Sequence, residues 1–268
     1  MLARLLRRIL AAELLLYSGI ALGANAAYGT GLGGGIAIVL LLGLSARAAY
    51  VAGAYLLAGG AARPDPRHAL GPVAAFRMGV TELGALIWTH TMVQPWWPLT
   101  NRLLPAAEPD NPELPPVLFV HGFCCNEGYW AITRRRLHRR GVTRQGGISL
   151  EPVFTDIDDY AAPLHEAVES LCEHYGVGDV IIVAHSMGGL AARSYLRRYG
   201  GSRVRQLITV GTPHRGTSLA RYGMGTNSRQ MEPDSPWLQH LNGNARRQTT
   251  AITAILSRHD ELISPREN

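Results

Sequence analysis

Val180-Ile-Ile-Val-Ala-His-Ser-Met-Gly-Gly189 reads as a buried strand, a sharp turn and the start of a helix. Residues 180–184 are wholly apolar, as the centre of a parallel sheet covered on both faces requires. A helix that starts directly after such a strand forces the two backbones together, so the positions two before and two after the apex must be small. Ala184 and Gly188 meet that demand and leave Ser186 at the apex. A serine there is exposed at the end of a sheet and sits on a helix N-terminus, where developing negative charge is favoured. Ser186 is therefore the candidate nucleophile, within an elbow formed by Ala184, His185 and Gly188.

Outward from this point, strand and helix patterns alternate. Val117–Val120 is a short apolar strand, 127–140 an Arg-rich helix and 148–154 a strand. A helix over 157–175 carries Tyr160, Leu164, Val168, Leu171 and Tyr175 on one face, at three- and four-residue spacing. A helix at 190–199, a strand at Val204–Val210 and a strand at 251–256 follow. Repeated units of this kind imply an α/β class with a mostly parallel sheet and helices on both faces.

The N-terminal part has a different composition. Residues 1–60 hold only Arg4, Arg7, Arg8, Glu13 and Arg47 as charged side chains. Residues 9–27 and Gly31–Leu57 are apolar runs joined by a Gly-rich turn, each about the 20 residues that a membrane-crossing helix needs. A cleaved signal peptide would explain the first run but not the second, so a transmembrane hairpin over 1–60 is expected. Arg47 must then either snorkel, ending the span at 29–47 with an interfacial helix over 48–60, or face the partner helix. Arginines before the hairpin (4, 7, 8) and after it (63, 67, 77), with none in the turn, put both ends in the cytoplasm by the positive-inside rule. Residues 83–104, with clustered Trp and two prolines, read as interfacial, and 105–116 as a linker with five prolines. The expected organisation is thus 1–60 membrane hairpin, 61–114 juxtamembrane segment and linker, and 115–268 catalytic domain.

All 26 basic residues are Arg, and there is no nucleic-acid motif, so no nucleic-acid partner is expected. The Arg134–140 cluster would suit anionic headgroups or simply a solvated helix face. Cys124, Cys125 and Cys172 make no disulfide framework and read as small buried apolar residues. The histidines lack metal-ligand spacing, and no cofactor or metal is called for.

The run A-H-S-M-G-G (184–189), His121-Gly122-Phe123 after the first strand, and Gly211-Thr-Pro-His-Arg-Gly216 after a later one resemble bacterial lipases and esterases of the α/β-hydrolase fold. The resemblance covers roughly residues 115–268; Ala184 departs from the usual Gly at the first elbow position. It implies an enzyme, a carboxylic ester hydrolase with acyl lipids or other esters as substrate; the membrane hairpin lies outside the resemblance, and with it a bacterial inner-membrane location is expected. The resemblance also implies an oxyanion hole made by the backbone N–H groups of Met187 and Phe123, the latter on the loop carrying His121 and Gly122. The acid expected after a late strand is Asp260, with Glu261 and Asp234 as weaker alternatives.

The base is the difficulty. In chain order the histidine should follow the acid, yet none lies beyond His259. His259 adjoins Asp260 and diverges from it; His214 and His185 read as structural. The expectation is that the sequence lacks its C-terminal strand, helix and catalytic histidine, and is nearly inactive as it stands, with roughly 10³–10⁴-fold residual catalysis. Alternatives are an acyltransferase on the same fold, or a non-catalytic membrane scaffold that has lost the histidine.

Overall fold

The computed structural model describes residues 1–61, 70–97, 114–243, 249–257, 259–260 and 263. Five parallel strands form one sheet in the order β2-β1-β3-β4-β5: β1 (Val117–Val120), β2 (Gln145–Ile148), β3 (Val180–His185), β4 (Val204–Val210) and β5 (Ala251–Ile255). Alternation along the strands divides the core in two. Leu118, Val120, Ile182 and Ala184 face a cluster filled by α5 (Ala161–Tyr175) and α6 (Met187–Tyr199). Val117, Phe119 and Val183 face the other side, under Trp130 and the short helix α4 (Ala131–His138). β3 is thus covered on both faces, as its apolar run requires, whereas β5 is exposed along its length.

Three expectations shift. The second strand is Gln145–Ile148 and not 148–154. β1 offers only four residues, and pairing that begins at Val117↔Gln145 is complete at Val120↔Ile148. Beyond it, the backbone is satisfied by side chains instead of a ladder: Leu150 N–H donates to His121 Nε2, Tyr160 O–H to the Pro152 carbonyl and Asn227 Nδ2 to the Val153 carbonyl. The two glycines that obscured this strand are there for packing, since a Cβ on Gly146 would lie 3.0 Å from Leu171 Cδ1. The helices over 127–140 and 157–175 each open as a 3-10 turn before becoming α, and α6 starts directly after Ser186.

Upstream, α1 (Leu2–Tyr28) and α2 (Gly31–Ala61) pack as an antiparallel hairpin. The turn uses Gly29 in the left-handed region (φ 64°) as helix cap, and Asn25 Oδ1 accepts from Gly31 N–H at 2.7 Å. α2 is unbroken, so a separate interfacial helix at 48–60 is not seen. Arg47 takes the other option: it faces α1 and pairs with Glu13 at 2.6 Å.

After α3 (Pro72–Ile87), a π turn (Trp88–Val93) and a 3-10 turn (Gln94–Trp96) lead to Trp97. Trp88 and Trp96 are exposed, but Val93, Gln94, Pro95 and Trp97 are buried between α1 and the turn that follows β1. Residues 98–113, and with them most of the proline-rich linker, lie outside the described residues.

Candidate active site

Ser186 stands at the junction of β3 and α6 with φ 51° and ψ −128°, a region a non-glycine side chain enters at a cost of about 1–3 kcal/mol. The surroundings hold it there. Its N–H donates to the Val210 carbonyl at 2.9 Å, and its carbonyl accepts from Gly189 N–H (2.9 Å) and Thr212 Oγ1 (3.0 Å). The small-residue requirement has a concrete cause: a Cβ on Gly188 would meet the His121 carbonyl oxygen at 2.4 Å. Ala184 is fully buried between strands β1 and β4.

That contact brings the elbow against the loop after β1. His121 is buried, and Leu150 N–H donates to its Nε2 at 2.8 Å, so Nδ1 carries the proton and donates to the Gly122 carbonyl at 2.9 Å. Both ring nitrogens are committed, and burial lowers its pKa to about 4, so the ring is a neutral brace. Gly122 is close enough to Ser186 that a Cβ would lie 2.9 Å from the serine Cβ. Its carbonyl also accepts from Cys125 N–H, closing a turn around Phe123 and Cys124, the latter at φ 52°. Among the described residues the N–H groups of Phe123 and Met187 have no hydrogen-bond partner. Two donors beside one serine can receive an oxyanion.

The remaining expected residues fall as follows. His185 stacks on Tyr129 (4.3 Å between ring centroids) and meets Trp130 edge-on; burial lowers its pKa to about 4. His214 is held between Thr209 Oγ1 (3.0 Å) and Arg193 Nη1 (3.2 Å), and burial, then the Arg193 charge, lowers it to about 4. These two and His121 are neutral parts of the scaffold. Asp260 follows β5 and accepts from Ile263 N–H at 3.0 Å; its Oδ2 lies 3.2 Å from where a Cβ on Gly211 would stand. It is thereby placed at the end of β4, the strand whose Val210 carbonyl holds Ser186 N–H. Asp234 is exposed, and Glu261 lies outside the described residues. The three cysteines are free; burial pushes the Cys124 thiol up to about 11 and the Cys125 thiol up to about 12, so neither is a thiolate near neutral pH.

Two contributors escaped the sequence reading. Thr212, inside the G-T-P motif, clamps the elbow, and the motif itself was the available signal. Gln94 bonds twice to Asn126 just after the Phe123 turn, and nothing in its local sequence marks it.

A family model described as alpha/beta hydrolase fold matches residues 115–240. The structure is similar to lipase B of Aspergillus fumigatus (TM-score 0.54, 17% identity, 62% of this chain and 42% of that one). It is also similar to the mature lipase BlEst2 of Bacillus licheniformis (TM-score 0.50, 21% identity, 57% of this chain and 69% of that one). The domain has the α/β-hydrolase fold. Among curated proteins, the (lyso)-N-acylphosphatidylethanolamine lipase of Bos taurus is 32% identical over 109 residues, covering 37% of this chain and 32% of its own length. The chain therefore spans about a third of the length of the curated relatives it matches. Within the α/β-hydrolase fold, Ser186 occupies the strand-to-helix turn and Phe123 the loop after a neighbouring strand.

Proposed function

We propose that the protein is a membrane-anchored serine hydrolase of carboxylic esters, with acyl lipids as its substrate class. The carrying observation is the strained Ser186 at the β3–α6 turn, flanked by two backbone donors that have no hydrogen-bond partner among the described residues. In this reading Ser186 Oγ attacks the ester carbonyl, the Phe123 and Met187 N–H groups hold the oxyanion, and Asp260 orients the base. His121, His185 and His214 are committed to scaffolding, so the reading gives none of them the base role. Lipase names among the similar proteins support an ester substrate.

Membrane anchoring rests on Leu2–Tyr28 and Gly31–Leu57, each long and apolar enough to cross a bilayer. Only 6% of either apolar window is buried inside the protein, which is not how the core helix of a soluble domain behaves. The reading divides the chain into a hairpin at 1–60, a juxtamembrane part at 61–114 and a hydrolase domain at 115–268, with both hairpin ends and the domain on the cytoplasmic side.

The test is covalent labelling of the natural gene product in its membrane with a fluorophosphonate probe. Labelling is expected at Ser186 and lost in Ser186→Ala. Absence of label on Ser186 overturns the reading.

A further inference from the structure

The buried stretch after α3 has no place in the catalytic reading, yet it touches the loop that carries Phe123. Gln94 is fully buried, 32 residues before Asn126. Its Oε1 accepts from Asn126 N–H and its carbonyl accepts from Asn126 Nδ2, both at 2.9 Å. Two bonds between one pair of residues fix orientation as well as position. Asn126 in turn caps the following 3-10 turn, its Oδ1 accepting from Gly128 N–H at 3.0 Å.

The stretch is itself immobilised from both sides. Arg7 on α1 donates from Nη1 to the Pro95 carbonyl at 2.8 Å. Val93 and Trp97 press on Gly128 so closely that a Cβ there would lie 3.2 and 3.3 Å from their side-chain carbons. The turn containing Phe123 is therefore held at one end by His121 and at the other by Asn126. Cys124 between them sits at a positive φ, a conformation that persists only where the neighbours impose it.

We infer that Gln94 is a positioning residue for the oxyanion loop, so that the juxtamembrane segment is a working part of the active site and not a detachable tether. This rests on the proposed roles of Ser186 and Phe123. Phe123 N–H makes no hydrogen bond among the described residues, so its aim depends on where the turn is held. Loosening the Asn126 end lets that N–H drift from the oxyanion position while leaving the rest of the site in place.

The experiment uses the natural gene product in lipid nanodiscs, with two variants. Gln94→Met keeps the shape and removes the acceptor side chain; Asn126→Asp removes the donor to the Gln94 carbonyl but keeps the cap on Gly128. Amide hydrogen exchange and the rate of fluorophosphonate labelling are read together. Expected are faster exchange at residues 123–126 with unchanged protection in β3 and β4, and a roughly tenfold fall in the maximal labelling rate at unchanged probe affinity. Asn126→Asp sets a carboxylate oxygen against the Gln94 carbonyl and should shift both readouts in the same direction by at least as much; it carries the test if Gln94→Met does not fold. Unchanged exchange at 123–126 in a folded variant overturns the inference, as does a change in probe affinity alone. If the parent protein is not labelled at all, the hydrolase reading fails, and exchange still decides whether Gln94 holds the loop.

Discussion

The serine elbow and the oxyanion loop touch each other, but they are held in different ways. The elbow is fixed from inside the sheet: Val210 on the neighbouring strand, Thr212 just beyond it and Gly189 on its own helix all bond to Ser186. The loop proposed to supply the oxyanion donor is braced on one side by His121 and on the other by Gln94, which lies after α3 and outside the sheet domain. In the proposed site the nucleophile is set by the fold and the oxyanion donor partly by what lies next to the fold. The first should be insensitive to the segment after α3 and the second should not.

The largest effect is expected where the two meet. Gly188→Ala introduces a Cβ at 2.4 Å from the His121 carbonyl and 3.0 Å from the Val120 carbonyl, both backbone atoms that cannot rotate away. Helix or loop must move, at a cost of about 3 kcal/mol, and labelling of Ser186 should fall below detection. Urea unfolding monitored by tryptophan fluorescence checks the first, probe incorporation the second. A Gly188→Ala protein that is both stable and labelled would show that elbow and loop are not in the contact described.

The next effect separates the loop by pH. Well above pH 6.5 His121 is neutral in both the folded and the unfolded chain and contributes no pH dependence. As pH falls from 6.5 towards 4 the unfolded chain binds a proton that the buried ring, lowered to about 4, refuses. Stability then drops, by about 2 kcal/mol at pH 5 for one such histidine. His185 and His214 are shifted the same way and add to the slope. His121→Gln retains an acceptor for Leu150 N–H but does not titrate. Unfolding at pH 7 and pH 5 should show a smaller difference in that variant than in the parent. Equal differences would mean the His121 ring is not buried neutral.

The same contrast explains what the sequence could disclose. The elbow was legible because its constraints are local: a wholly apolar strand, two small residues and a helix start within ten positions all refer to one another. His121-Gly122-Phe123 was legible only by resemblance. Its brace on Leu150 depends on a loop that periodicity mistook for a strand, because Gly146 and Gly147 carry no side chain to mark the real one. The Arg47–Glu13 pair was half legible. The cost of a lone arginine in an apolar helix calls for a partner, but only the hairpin's register selects the residue 34 positions away. Gln94 had no signal at all, since a glutamine between Val93 and Pro95 reads as interfacial until the domain is folded over it.

The smallest effect is the sharpest discriminator. Thr212→Val removes the hydroxyl that donates to the Ser186 carbonyl, but Gly189 N–H still donates to that oxygen and Val210 still accepts from the serine N–H. One hydrogen bond of several is lost, so stability should fall by about 1 kcal/mol. The labelling rate of Ser186 should stay within about twofold, because a residue held at three points keeps its conformation when one is released. Set beside Gln94→Met, the order of effects is the reverse of proximity. The substitution touching Ser186's own backbone should matter less to its reaction than one in the segment that follows the N-terminal helices. If Thr212→Val is the more damaging of the two, the elbow is the weakly held element and the contrast drawn between the two loops is inverted.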